Sequence, residues 1–394
     1  MNYHLMIDDK FIDDFITDNE LQGSINNIFI IEGVRENMKF VKHPSISFVL
    51  SLPEYLFKLK NSLINTDKIF IHWLHEGIID FILTLNKKIK VGLFFWGGDI
   101  VEDPEELYRK FNLESLTLNF YNNNYLKKPV YFRIYKNPIN ILRNYKNYIS
   151  FHKPILDRLA RKNEVLKRLD YFLHWNQLDY TWIKKRVKGF NAEFIPHCYG
   201  LGLDKELPEL EIRKKDSIVF WLGNSATLAN NHLDALKVLG RYKKEDIKIL
   251  CPLSYGEAVE GPYIQEVIKY GKELFGTKFV SLCDYMPRKE YYKLFREVDI
   301  VVMWHNRTQA AGNVAAFLKM GKQVYMQPKS TLYKLFKLKY LPVSPTSFLE
   351  KLDFQELKKA NHTYNFTKIH AITLDEIFLN QTEKVALLQF LNNA

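Results

Sequence analysis

The chain reads as an α/β protein made of two doubly wound parallel-sheet domains, and three observations lead there. Short β-branched and aromatic runs alternate with helix-length segments along most of the 394 residues. A parallel sheet needs this alternation, because each strand is buried on both faces and joined to the next by a crossover helix. The runs end in turns of Gly, Asn, Asp and His, residues that leave the backbone open where a parallel strand exits. The stretch from Pro196 to Asp216 holds prolines, glycines and charges without period, and divides the chain. The linker proper is set at 201–216, which gives a first domain over 1–200 and a second over 217–394. Whether the last helix crosses back to the first domain stays open.

Taken in order, Tyr3–Ile7 is the first strand, ending at Asp8-Asp9 and followed by an amphipathic run from Phe11 to Ile16. Ile28–Ile31, Ile46–Leu50 and Lys68–Trp73 are further strands, the last opening onto His72, His75 and Glu76 before a helix over Gly77–Leu85. Val91–Trp96 runs into Gly97-Gly98-Asp99. From Leu107 to Arg186 the pattern is helical and basic, with Tyr, Phe and Trp among its Lys and Arg. Tyr171–Trp175 and Ala192–Ile195 close the first half. The second half repeats strand, turn and helix: Ser217–Leu222 with a helix near Asn231–Leu239, Ile247–Cys251 with Tyr263–Phe275, Phe279–Leu282 with Arg288–Val298, Ile300–Trp304 with Asn313–Met320, and a fifth strand at Gln323–Met326.

Apolar residues at 47% and charged residues at 26% describe a soluble globular chain. Its formal charge of +11 favours polyanionic partners: anionic lipid, phosphorylated substrates or nucleic acid. No recognised nucleic-acid module is present, so nucleic acid is not expected. The three cysteines, Cys198, Cys251 and Cys283, are far apart without C-x-x-C spacing, which points to no disulfide, no zinc and a reducing cytoplasm. The start lacks the basic and apolar regions of a signal peptide, and no window approaches eighteen apolar residues.

Two turns carry the chemistry of the second half. Gly223-Asn224-Ser225 follows its first strand, and His305-Asn306-Arg307 with Gln309 to Gly312-Asn313 follows its fourth. Ligands of such sheets sit beyond the carboxyl ends of the strands, where helix N-termini aim N–H groups at anions. Arg307 adds a fixed, forked cation suited to a diphosphate. In the first half, Asp99 is either a helix cap or a general base for a hydroxyl; His75 and Glu76 are the other catalytic candidates, with His72 and Asp8-Asp9 beside them. No Asp-x-Asp with supporting context appears, so neither metal nor cofactor is expected.

Together these motifs resemble glycosyltransferase family 56, the bacterial transferases that move 4-acetamido-4,6-dideoxygalactose from a dTDP-sugar to a polyprenyl-linked acceptor in enterobacterial common antigen assembly. The matching residues are Gly223-Asn224-Ser225, Asn230-Asn231-His232, Pro252-Leu-Ser254-Tyr255-Gly256, the tyrosine-led helix at Tyr263, Arg307-Thr-Gln309-Ala-Ala-Gly312, Ile71-His72 and Trp96-Gly97-Gly98-Asp99. The chain departs where the family's Gly-Ile-Gly becomes Ala310-Ala311-Gly312. The resemblance implies a GT-B fold, with two Rossmann-like domains facing across a cleft.

It also implies a nucleotide-sugar site of Gly223, Asn224, Ser225, His305, Arg307, Gln309, Gly312 and Asn313, with Tyr255 and Glu273 as base or ribose contacts. The first domain would bind a lipid-linked saccharide acceptor, and the basic segment would dock on the anionic cytoplasmic face of the inner membrane. Two alternatives stand beside this reading: a GT-B transferase using another nucleotide sugar or a soluble or protein acceptor, and a non-catalytic basic polyanion-binding protein.

Overall fold

The computed structural model describes residues 1–21, 23, 25–101, 112–125, 153, 157–199, 217–362, 367–378 and 381–392. Most of the basic residues between 107 and 152, and the linker at 201–216, lie outside the described residues. The chain forms two compact units. One gathers the described residues among 1–105, 149–201 and 375–394, and the other those among 106–148 and 202–374. Residues 112–125 belong to the second unit, and the last helix, Gln381–Asn392, crosses back to the first.

Unit 1 is built on a seven-stranded parallel sheet of order β3-β2-β1-β4-β5-β6-β7. Its strands are β1 (Asn2–Leu5), β2 (Asn27–Glu32), β3 (Ile46–Val49), β4 (Lys68–Ile71), β5 (Lys90–Phe94), β6 (Tyr171–His174) and β7 (Glu193–Pro196). The uninterrupted apolar runs follow from burial on both faces. Ile69, Ile71, Val91 and Leu93 join one hydrophobic cluster, whereas the alternate residues Phe70 and Phe94 join the other. Order reverses between β1 and β4, which is the switch point of this sheet.

Unit 2 has a six-stranded parallel sheet of order β10-β9-β8-β11-β12-β13. Its strands are β8 (Ile218–Leu222), β9 (Ile247–Pro252), β10 (Phe279–Leu282), β11 (Ile300–Met303), β12 (Gln323–Met326) and β13 (Val343–Pro345). Here β8 and β11 flank the switch point, in register Ile300 to Phe220 and Val302 to Leu222.

Residues 112–125 are fastened onto unit 2 by side chains that complete their backbone. The helix Ser115–Asn124 has no side-chain cap of its own at Glu114. The Asp234 carboxylate takes over, accepting Leu116 N–H at 2.8 Å, Thr117 N–H at 2.9 Å and the Thr117 hydroxyl at 2.8 Å. A carboxylate at a helix N-terminus also faces the positive end of the helix dipole. Asn231 secures the preceding turn: its carboxamide donates to Asn112 C=O at 2.9 Å and accepts Glu114 N–H at 2.8 Å.

Candidate functional site

At the switch point of unit 2 the two turns expected to act together do meet. Leaving β8, Gly223 has φ +72°, where a side chain would be strained, and an added Cβ would lie 2.7 Å from both Asn230 Oδ1 and His232 Nε2. Only glycine fits there. The chain then turns so that Asn224 N–H donates to Asn230 Oδ1 at 3.0 Å. From the exit of β11, buried His305 reaches across, with Nε2 at 2.7 Å from the same Asn230 oxygen and 3.1 Å from Asn224 Oδ1.

The tautomer follows from these partners. Asn230 Nδ2 donates to Ser225 Oγ at 3.0 Å and Thr227 Oγ1 at 3.0 Å, so its oxygen must accept. Asn224 Oδ1 likewise accepts from Gln309 Nε2 at 3.0 Å. His305 therefore carries its proton on Nε2. Burial first, then the charges of Arg307 and His232, hold its pKa well below the ordinary histidine value, so the ring stays a neutral donor. Gln309 also donates to Thr227 Oγ1 at 3.2 Å, closing a ring of polar side chains over the β8 exit.

His232, fully buried, receives the Tyr263 hydroxyl from two sides: its own N–H donates to Oη at 3.0 Å, and Nδ1 lies 3.2 Å from it. Its Nε2 is buried without a hydrogen-bond partner and faces Gly223. Desolvation depresses its pKa to about 3. Gln309 Oε1 and Asn306 Oδ1 are also buried and unpartnered at this end of the sheet.

The helix Ala311–Lys319 begins at this mouth and presents its first-turn N–H groups. It starts from Ala310 at φ 57°, a left-handed residue where the resembling family has glycine. The departure from the family pattern thus costs strain at one residue and leaves the helix in place. Arg307, half-buried, donates through Nη1 to Thr308 C=O at 2.7 Å, and its own C=O accepts the Ser330 hydroxyl at 2.9 Å. Asn313 is turned to Tyr291 Oη at 2.9 Å.

Sequence reasoning missed Glu114. Its Oε1 accepts Asn306 Nδ2 at 2.8 Å and Lys329 Nζ at 2.7 Å, which sets a carboxylate and a second cation beside the His305–Arg307 loop. No local pattern could have found it, since its partners lie 192 and 215 residues away in sequence. Asn230 and His232 were visible only as a motif. Tyr255, exposed at the β9 exit, stands near this end, and its C=O accepts Ala226 N–H at 2.6 Å. Glu273 stands apart from these turns. It sits in the last turn of the helix Pro262–Phe275, which starts beyond β9 and runs back toward the start of β10, so it lies at the other end of the sheet. Eleven residues at 1.5 Å each put it roughly 17 Å from the helix start.

In unit 1, Asp99 is buried in the short helix Gly98–Val101, and its Oδ2 accepts Leu74 N–H at 2.9 Å, tying the β4 exit to the β5 exit. His75 is half-buried at the start of the helix Glu76–Thr84 without capping it; desolvation lowers its pKa. The Glu76 side chain is 60% exposed, 3.9 Å from Arg158. Asp8 and Asp9, alike in sequence, separate sharply. Asp8 is occupied by three backbone N–H groups, from Lys39, Phe40 and Val41 at 2.7, 3.0 and 2.9 Å. Asp9 is buried, accepts Phe11 N–H at 3.1 Å, and has its pKa raised chiefly by burial.

Two units with parallel sheets doubly wound by helices, one carrying a polar mouth at its switch point, have the architecture of GT-B glycosyltransferases. Solved structures share the fold. A trehalose-6-phosphate structure from E. coli bound with UDP-2-fluoro glucose matches over 100% of this chain and 99% of its own, at 12% identity and TM-score 0.57. Sucrose-phosphate synthase from Thermosynechococcus elongatus matches over 100% and 98%, at 9% identity and TM-score 0.63. A glycosyltransferase from Rickettsia africae matches over 99% and 96%, at 11% identity and TM-score 0.54. Residues 171–384 match the family model described as 4-alpha-L-fucosyltransferase, glycosyl transferase group 56, and the chain belongs to that family. Among the described residues no helix is long and apolar enough to cross a membrane.

Proposed function

We propose that the protein transfers a deoxyamino sugar from a nucleoside-diphosphate donor, dTDP-linked, to a lipid-linked saccharide during cell-surface glycan assembly. It would work on the cytoplasmic face of the inner membrane, without metal or cofactor. The observation that carries the donor half of this reading is the shared Asn230 oxygen, which locks the β8 and β11 exits together at the unit 2 switch point. The donor diphosphate would take first-turn N–H groups of the helix Ala311–Lys319, at Gly312 and Asn313, with Arg307 and Lys329 as cations. Departing charge would be met by these preorganised donors, the largest usual contribution to transfer catalysis. Gly223, Asn224, Ser225, His305 and Gln309 would bear on the sugar and phosphate, and Tyr255 on the base.

Unit 1 would receive the acceptor. For transfer with inversion the acceptor hydroxyl must lose a proton, and Asp99, His75 and Glu76 are the candidate bases. Asp9 joins them on the strength of its buried carboxylate with a raised pKa. Contact with anionic lipid through the basic residues of 107–186 would bring the enzyme to its acceptor, and binding to anionic but not neutral vesicles at low salt is its expected sign.

A thermal-shift panel of dTDP, UDP, GDP and ADP, with CMP as control, tests the donor assignment. A ligand at a hundred times its Kd adds about 2.7 kcal/mol of stability. The largest shift is expected with dTDP. A larger shift with another nucleotide would reassign the donor. No shift with any, together with polyanion binding that falls steeply with salt, would replace transfer by non-catalytic binding.

A further inference from the structure

Aromatic rings stand half-buried where the chain leaves the strands of unit 1: Phe11 past β1, Trp73 past β4, Trp96 past β5 and Tyr199 past β7. All lie at the carboxyl end of the sheet, and Trp96 joins them. Its ring meets Phe11 at 5.7 Å and 64°, Trp73 at 6.5 Å and 83°, and Tyr199 at 4.9 Å and 63°, edge against face in each case. The rings one layer deeper, Phe15, Phe70 and Phe94, are fully buried.

The polar atoms of Trp96 and Tyr199 are committed inward. Trp96 Nε1–H can only donate, and it does so to Tyr199 Oη at 3.0 Å. The Tyr199 hydroxyl then donates to His72 Nδ1 at 2.6 Å, His72 Nε2–H to His4 Nδ1 at 3.0 Å, and His4 Nε2–H to Asn27 Oδ1 at 3.3 Å. That last oxygen also accepts Asn2 Nδ2 at 3.0 Å, so it is fixed as an acceptor and every link has one direction. His4 and His72 are fully buried and kept neutral by desolvation, as the chain requires. His72, a catalytic candidate by its position, is a link in this chain. The Tyr199 ring is packed by Phe15, His72, Phe94 and His197 as well, and Lys10 Nζ lies over the Phe11 ring at 5.1 Å, so these two brace the half-buried indoles of Trp73 and Trp96. Asp9 is an acidic group beside them: it holds the Phe11 amide, and its charge, like that of Asp99, acts on Tyr199.

We infer that Trp73 and Trp96, braced by Phe11 and Tyr199, form a platform that seats the C–H face of a pyranose ring, with Asp9 accepting one of its hydroxyls. An aromatic face carries negative charge density and attracts the weakly positive C–H groups of a sugar, while the hydroxyls at the ring edge need acceptors. A lipid chain would gain nothing from a carboxylate in its bed. A nucleic-acid strand would set its phosphates against Asp9 and Asp99. The inference rests on the reading that unit 1 takes the acceptor, and it names a sugar ring as the part recognised there.

The test uses fluorescently labelled full-length protein on a printed array of defined mono- and oligosaccharides, with dTDP binding measured on the same preparations by calorimetry. The wild type should retain at least one saccharide. Trp96→Ala and Trp73→Ala should each weaken that retention tenfold or more with dTDP binding unchanged. Trp96→Phe keeps a ring but loses the N–H, so it guards against misfolding and should show a smaller loss. Tyr199→Phe breaks the chain at its centre while keeping the ring, and should also weaken retention. Retention unchanged in both alanine variants overturns the platform, as does a wild type that binds dTDP but no saccharide. Absence of dTDP binding by the wild type instead strikes the donor reading.

Discussion

The carboxamide oxygen of Asn230 lies 2.7 Å from Nε2 of His305 and accepts its hydrogen bond, although the residues belong to the exits of different strands. The same oxygen holds the Asn224 N–H at 3.0 Å. One acceptor thereby sets the turn after β8 and the loop after β11. Asn230→Ala would leave both donors without that partner. A buried donor left unsatisfied costs about 1–3 kcal/mol. The expected outcome is a loss of that order in urea denaturation, with dTDP affinity reduced further than the stability loss alone explains. Unchanged affinity in a folded variant would separate this lock from nucleotide binding.

Arg307 separates binding from folding in the opposite way. It is half-buried, and its Nη1 donates to the neighbouring Thr308 carbonyl at 2.7 Å. Arg307→Ala should therefore change the unfolding midpoint little while weakening dTDP binding by roughly tenfold or more. That is the scale of one charge-assisted hydrogen bond. Equal calorimetric Kd values for wild type and variant would remove Arg307 from the diphosphate.

Ala310 offers a test by gain. Its φ of 57° places a side chain in the left-handed region, and its N–H and C=O frame the start of the helix Ala311–Lys319. Left-handed backbone costs an L-residue roughly 1–2 kcal/mol, offset in a glycine variant by the larger entropy of the unfolded chain. Ala310→Gly should be neutral to stabilising by about 1 kcal/mol, whereas glycine inside a regular helix destabilises. A measured loss would show that the methyl packs favourably.

Four of the buried histidines predict how stability depends on pH. His4 and His232 are depressed to about 3, and His72 and His305 lie well below the ordinary value, in each case chiefly by desolvation. Unfolded histidine titrates near 6.5. Below that pH the unfolded chain takes up protons that the fold refuses. The stability is thus fully present above about pH 6.5 and falls progressively as pH drops toward 3. Urea titrations between pH 7.5 and 5 should show this slope, and His232→Gln should flatten it. A pH-independent midpoint would mean that these rings are not held neutral.

Most of the fold is legible in sequence because buried parallel strands are written as short continuous apolar runs. Ile300–Met303 and Gln323–Met326 could be read directly, and so could Ile218–Leu222. Val343–Pro345 could not: three residues ending in proline carry no pattern, and pairing with β12 alone makes them a strand. The meeting of Asn224 with His305 was legible through turn chemistry at neighbouring strand exits. The neutrality of His305, the role of Glu114 and the division between Asp8 and Asp9 were not. Each depends on which backbone N–H or side chain arrives from far along the chain, and no local spacing encodes that.

Asp99 and Asp9 remain to be told apart as bases, and their surroundings predict different responses. Asp99 Oδ2 accepts the Leu74 amide at 2.9 Å, a bond that an asparagine oxygen can also accept. Asp99→Asn should therefore fold with a midpoint close to wild type, since a cap or brace of this kind depends on an oxygen and not on a charge. If Asp99 is the base, turnover falls by about 10² to 10⁴ while dTDP binding stays intact. Burial raises the pKa of Asp9, the direction that suits a proton acceptor near neutral pH. Asp9→Asn removes that penalty, so it should stabilise the fold or leave it unchanged, and cost turnover if Asp9 is the base. Measuring donor-dependent transfer in both variants decides the matter. Collapse in one with retention in the other names the base; retention in both passes the role to Glu76 or His75, where Glu76→Gln and His75→Gln repeat the comparison.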